Sequence, residues 1–236
     1  MFKDLKRHNR ETELRWDDEK KLAQWQQLNA HRFRYFDLFV PSWKGLKVLD
    51  LNCAAGFSSE FLARQGAVVV GTDPSSALIK TAQNHAQLRP LEIEYRPWIG
   101  ESLPFDDSSF DIVMGVDVLE HVADVRKVIS EIFRVLKPNG FLLFDGINRT
   151  FFAKMKMIWL LEYIIGELTL GSHDWRKFVK PEELHHLLTQ HGFGEITFKG
   201  FDIRGKNRKT GELKIVLNDS LSVQYVGKCV KQPTSF

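Results

Sequence analysis

Cysteine is scarce: the chain has two, Cys53 and Cys229, in 236 residues. Two thiols so far apart make neither a disulfide framework nor a metal-ligand pair, so both are expected free in a reducing compartment. No apolar run reaches the roughly 20 residues that a membrane-spanning helix needs. The segment MFKDLKRHNRETELRWDDEKK is charged and lacks an apolar core, so it reads as no secretory signal, and a cytoplasmic location is the expectation. A dominant charge is missing too. The 33 Lys and Arg are scattered among 30 Asp and Glu, a net +3, which is too weak a field for a nucleic-acid surface. There is no internal repeat, no low-complexity tract and no Pro/Ser linker. Neither a Walker lysine nor a G-x-G-x-x-G spacing is present, which argues against a pyrophosphate ligand.

What the chain does have is alternation. Residues 1–45 read as an amphipathic helical cap with Trp16, Trp25, Leu28, Phe33, Phe36 and Phe39 as apolar positions, broken by Pro41 and Gly45. KVLDLN, AVVVGTD, LEIEYRP, FDIVMGVD and FLLFDGIN then read as strands. Between them, 57–65, SSALIKTAQNHA and 122–136 read as helices, with Ser75 or Ser76 as an N-cap and KPNG as a stop. After a helix at 182–191, EITFKGFDI, ELKIVL and SVQYVGKCV read as strands joined by hairpin-like connections. The pattern predicts an α/β fold, a Rossmann-like doubly wound sheet that is mostly parallel with an antiparallel C-terminal edge. One domain is expected. It comprises the cap, a cofactor-binding core over 46–148, an insertion over 149–180, and a C-terminal helix and strands over 181–236.

In such a sheet ligands sit beyond the carboxyl ends of the strands, so the loop after the first strand, LDLNCAAGFSSE, is the place to look. Asp73 closes the second strand just before Pro74, where an acid can accept hydrogen bonds from both hydroxyls of a ribose. Either feature alone is weak; together they point to a nucleoside-type cofactor. The loop reads Asp50-x-Asn52-x-Ala54-x-Gly56. It resembles the D-x-G-x-G-x-G loop of class I S-adenosylmethionine-dependent methyltransferases, with two glycines replaced. Asn accepts a left-handed backbone, and the methyl group of Ala54 matters if φ is positive there or the ligand touches its Cα.

LNAHRFRYFD, DVLEHV, INRT, GSHDWRKFVKPEEL and SVQY together resemble the ubiquinone-biosynthesis O-methyltransferase family over roughly residues 25–230. GSHDWRKFVKPEEL is the most specific of these segments. The resemblance implies a seven-stranded sheet and methylation of catechol or demethylubiquinol hydroxyls on polyprenylated rings. It also implies Arg32, Asn52, Asp73 and Val116 around S-adenosylmethionine, with Gly100 and Glu101 near the adenine. Ile99 stands where many relatives carry an Asp.

Methyl transfer to oxygen needs a positioned acceptor and a route for its proton. DVLEHV follows the fourth strand at the cofactor edge, so Asp117, Glu120 and His121 are the candidate catalytic residues, with His121 as general base toward a phenol. The resemblance adds a second reading, in which the three hold a divalent cation such as Mg²⁺. A third has the segment merely capping the next helix. His173 and Asp174 either line the acceptor pocket or form a loop turn. His185, His186 and His191 do not have metal-ligand spacing. FFAKMKMIWLLEYIIGELTL reads as a lid over the acceptor or as an interfacial helix at a membrane surface. The rivals are a secondary-metabolite methyltransferase with an N or C acceptor and a methyltransferase-like scaffold without catalysis.

Overall fold

The computed structural model describes residues 19–98, 102–158, 174–207 and 209–233, with side chains from residue 26 onward. The central strands form because both their faces find cover. β1 (Lys47–Leu51) sends Val48 to one side of the sheet and Leu49 and Leu51 to the other. β2 (Val68–Asp73) splits Val69 from Val70 in the same way, and β4 (Phe110–Gly115) splits Ile112 and Met114 from Val113. In β5 (Leu136–Ile147), Leu143 opposes Leu142 and Phe144. This is why these strands read as continuous apolar runs rather than strict alternation.

α1 (Glu19–Phe36) and α2 (Phe57–Arg64) cover the first face, with the Phe33 ring stacked 4.1 Å from that of Phe61. α4 (Val125–Val135) covers the second with Val128, Ile129, Ile132 and Val135. It is joined there by Leu184 and Leu188 of α6 (Pro181–Gln190). Each such side chain, fully buried, contributes about 1.5–3 kcal/mol. α3 (Ser76–Gln87) packs Ile79, Ala82 and Ala86 against Tyr95 of β3 (Ile93–Pro97). α5 (Phe151–Ala153) opens a helical stretch after β5 that continues through residue 158.

The strand order is β3-β2-β1-β4-β5-β8-β6-β7, with β6 at Phe193–Lys206, β7 at Leu213–Asn218 and β8 at Gln224–Lys231. The first five run parallel; β8 is antiparallel to β5 and β6, and β7 to β6. There are eight strands where the resemblance implies seven, the addition being β7, read above as ELKIVL. The chain's last strand lies inside the sheet, and the β6–β7 hairpin forms the edge. The order reverses between β1 and β4, which puts the topological switch point at their carboxyl ends.

Local chemistry adjusts the boundaries. The pattern predicts a helix from 122, but α4 begins at Val125 because the Asp124 carboxylate accepts from the N–H groups of Arg126 (3.0 Å) and Lys127 (3.3 Å). The DVLEHV segment is therefore loop and does not cap that helix. Ser75 caps α3, its hydroxyl accepting from Leu78 N–H at 3.2 Å. Both cysteines are buried free thiols. Among the described residues no helix is long and apolar enough to cross a membrane. Trp16 lies outside the described residues, as does the side chain of Trp25.

At the end of β8 the buried Lys231 ammonium donates to Phe133 O and Leu136 O, both at 2.7 Å, closing the last turn of α4. Lys231→Met keeps the stem but strands two carbonyls. It is expected to cost about 1–3 kcal/mol in urea unfolding, and an unchanged midpoint would contradict the assignment.

Candidate active site

At the end of β1 the loop turns sharply, and all three positions of the altered glycine pattern are left-handed: φ is 62° at Asn52, 50° at Ala54 and 86° at Gly56. A left-handed backbone is what glycine would supply without cost. Asn52 accommodates it, and its Nδ2 donates to Asp117 O at 3.0 Å. Ala54 carries the strain, about 1–2 kcal/mol for a residue with a Cβ. Gly56 is held to glycine a second time, since a Cβ there would lie 2.4 Å from the Tyr95 hydroxyl.

Two buried carboxyls support the loop. Asp73, at the end of β2, accepts from Ala54 N–H at 3.0 Å and, across Pro74, from Ser75 N–H at 2.8 Å. Asp50 accepts from the Ser59 hydroxyl of α2 at 2.5 Å. Burial pushes the Asp50 carboxyl up to about 7, with Ser59 pulling it down and Asp73 adding to the rise.

Across the switch point stands a second junction. Arg32 of α1, 2% exposed, points its Nη2 at Asp117 Oδ1 (3.0 Å) and Oδ2 (3.1 Å) and at Asp145 Oδ2 (2.7 Å). Asp145, near the end of β5, also accepts from the Asp117 N–H through Oδ1 at 2.7 Å. Asp117 is itself left-handed, with φ 53°. Its N–H, its carbonyl and its carboxylate are thus held by β5, by the β1 loop and by α1. Burial works against the Arg32 charge, but Asp117, Asp145 and Glu120 outweigh it and raise its pKa. Burial also pushes Asp145 up, opposed by Arg32 and reinforced by Asp117 and Glu120.

Three of the residues singled out by sequence meet here. Arg32, Asn52 and Asp117 are in direct contact, and half-buried Val116 precedes Asp117. Glu120 is buried and His121 half-buried, in the turn that His121 N–H closes onto Val118 O at 2.9 Å. Gly100 and Glu101 lie outside the described residues, as does His173. Trp98 Nε1 donates to Ser102 O at 3.1 Å.

The metal reading finds no support. Among the described residues no group of three or more His, Cys, Asp or Glu could hold a metal ion. The Mg²⁺ ligation implied for Asp117, Glu120 and His121 is not met, because Arg32 already engages both oxygens of Asp117. Of the two readings given for Asp174, the structure shows a turn. Asp174 caps the short turn Trp175–Lys177, accepting from Arg176 N–H at 3.0 Å and from the Arg176 guanidinium at 2.8 Å, which lowers its pKa. An Asp followed by a one-turn helix is a cap by its own chemistry.

The sequence reading missed Asp145, Ser59 and Tyr95. For Asp145 the signal was an acid inside the apolar run FLLFDGIN; for Tyr95 and Ser59, whose roles depend on packing, there was none. The junction fits a ligand bearing both donors and acceptors. Among the described residues the buried atoms Asn52 Oδ1 and Arg32 Nε, on either side of Asp117, have no hydrogen-bond partner.

Ala54→Gly is expected to stabilise the protein by about 1 kcal/mol, since it removes left-handed strain without removing a side-chain contact. A lowered melting temperature would contradict the strained loop. A buried carboxyl with a raised pKa stabilises the fold while protonated. That contribution is full below the unfolded value of about 4 and is lost as pH rises through about 7. Asp50→Asn should therefore flatten the decline of stability between about pH 4 and 7, at up to about 1.4 kcal/mol per unit. Parallel pH profiles of urea midpoints for wild type and variant would contradict it.

A family described as "Methyltransferase domain" matches residues 49–144. The ubiquinone biosynthesis O-methyltransferase of Roseobacter denitrificans is 34% identical over 227 residues, covering 92% of this chain and 90% of that protein. That of Bartonella quintana is 35% identical over 192 residues, covering 77% and 78%. Among solved structures, an S-adenosylmethionine-dependent methyltransferase from Methanosarcina mazei superposes with a TM-score of 0.59 at 26% identity, covering 80% and 93%. The magnesium protoporphyrin IX methyltransferase of Synechocystis with bound S-adenosylhomocysteine shares the fold, with a TM-score of 0.61 at 20% identity, covering 90% and 85%. With a left-handed loop after β1, an acid closing β2 and kinship over nine-tenths of its length, the chain belongs to the ubiquinone biosynthesis O-methyltransferase family of S-adenosylmethionine-dependent methyltransferases.

Proposed function

We propose that this protein methylates a phenol or catechol hydroxyl on a small prenylated ring, an intermediate of the kind its relatives' names imply. The observation that carries the reading is the left-handed 52–56 loop held by Asp73 at the switch point, together with the kinship of the whole chain. S-adenosylmethionine supplies an electrophilic methyl group on a sulfonium. Asp73, at the end of β2, would hold the ribose hydroxyls, and the Asn52–Gly56 loop would back the methionine end. His121 takes the phenolic proton as the oxygen attacks, and the imidazolium formed passes it to solvent. No step is routed through a divalent cation.

Calorimetry with S-adenosylhomocysteine and a radiolabelled methyl-transfer assay on catechol acceptors test this. The wild type is expected to bind, Asp73→Asn to bind markedly more weakly, and His121→Gln to retain binding while losing about 10²-fold or more in kcat. A folded wild type that binds neither S-adenosylmethionine nor S-adenosylhomocysteine would leave the scaffold reading. An intact kcat in His121→Gln would remove His121 as the base.

A prenylated acceptor calls for contact with a membrane surface. The support is the helical stretch after β5, where Phe151 is 64% and Phe152 58% exposed beside Lys154. Trp159 and the rest of that segment to His173 lie outside the described residues. Flotation with anionic vesicles is expected to carry the wild type, and Phe151→Glu with Phe152→Glu to release it. Equal flotation of both would refute the contact.

A further inference from the structure

Asp145 is a carboxylate buried inside a strand whose neighbours, Leu142, Leu143, Phe144 and Ile147, are all apolar and buried. Such a group is retained at a cost, because an unpaired buried charge is expensive. Its two oxygens are divided between two different segments. Oδ2 meets the Arg32 guanidinium of α1 at 2.7 Å, and Oδ1 takes the backbone N–H of Asp117 at 2.7 Å. Asp117 is left-handed there, at φ 53°, a conformation a residue with a side chain holds only when its surroundings over-determine it. The same Arg32 nitrogen also reaches both carboxylate oxygens of Asp117, at 3.0 and 3.1 Å. The result is a closed triangle of Arg32, Asp117 and Asp145, in which Asp145 touches both other corners and lies deepest in the sheet.

We propose that Asp145 is a positioning residue of the methyl-transfer site, which fixes the Asp117 backbone and the Arg32 guanidinium so that the loop after β4 faces the cofactor loop in one geometry. The inference rests on the proposed function, since the loop it orients carries Val116 and leads to His121. It adds to that reading a residue which the sequence pattern did not mark. Asp145 acts through Asp117 and Arg32 and is given no contact with substrate. The third holding bond on Asp117, from Asn52 Nδ2 to its carbonyl at 3.0 Å, ties this triangle to the cofactor loop. Displacing Asp145 therefore disturbs both sides of the cleft.

The two oxygens make the test selective. Asp145→Asn keeps an acceptor for the Asp117 N–H and removes the charge facing Arg32; Asp145→Ala removes both. Wild-type binding of S-adenosylhomocysteine is measured first by calorimetry. A folded wild type that does not bind overturns the methyltransferase reading, and this proposal with it. With binding in hand, Asp145→Ala is expected to lower kcat by about 10²-fold, as a misplacement on the order of 1 Å does, and to weaken S-adenosylhomocysteine binding. Asp145→Asn should retain part of both. The charge coupling is read in an Arg32→Gln background, where a further Asp145→Asn should change binding and kcat far less than it does alone.

A purely structural role predicts something else: melting temperatures fall, but kcat and binding return to wild type when assayed well below the transition. That result overturns the proposal, as do equal effects of the Ala and Asn variants or fully multiplicative effects in the double variant. If Asp145→Ala does not fold, the Asn variant and the Arg32 cycle decide alone.

Discussion

One guanidinium, that of Arg32, is shared between two carboxylates from the carboxyl ends of two neighbouring strands, and the arrangement of the site depends on it. Asp117 follows β4, Asp145 lies near the end of β5, and Arg32 sits on the helix that covers the opposite face from α4. Breaking one partner of a buried pair costs roughly 3–5 kcal/mol, because the other charge is left without compensation. The pairing therefore ties α1 to the carboxyl end of the sheet, because moving Arg32 away would strand Asp145. With Glu120 nearby, acids outnumber the Arg32 cation at this end of the fold. Such an excess favours a ligand with positive charge, as a sulfonium and an ammonium provide.

The loop after β1 solves the same geometric problem by different means at each position. Gly56 is free to be left-handed, Asn52 is compensated by its bond to Asp117, and Ala54 is strained but held by Asp73. Replacing two glycines has not straightened the turn. One replacement has become a link, since the Asn52 amide joins the cofactor loop to the Arg32 junction. A glycine could not form that link.

Where sequence foretold structure, a one-dimensional pattern carried the information. β1, β2, β4 and β5 were legible because strands covered on both faces are apolar throughout, and α4 because Val128, Ile132 and Val135 recur at helical spacing. The left-handed turn at Gly56 and the strand-ending place of Asp73 were legible, because a strand followed by small residues and a glycine marks a turn. The position of β8 between β5 and β6 was not legible, since hairpin-like spacing in the tail gives adjacency but not which neighbour completes the parallel sheet. Nor was the role of Asp117. Its sequence context suggested a catalytic residue or a metal ligand, and its contact with Arg32, 85 residues away in sequence, leaves no mark in a local pattern. Asp145 was missed for the same reason, as long-range ion pairs leave no periodicity behind.

The central claim is that the Arg32 junction and the left-handed loop together form a preorganised cofactor site. A crystal structure of the S-adenosylhomocysteine complex tests it most directly. The account predicts the ligand across the carboxyl ends of β1 and β4, its ribose on Asp73, with positive φ at Asn52, Ala54 and Asp117 and Arg32 still on Asp145. A ligand seated elsewhere, or a cleft in which Arg32 has left Asp145 and the loop has become extended, would contradict it.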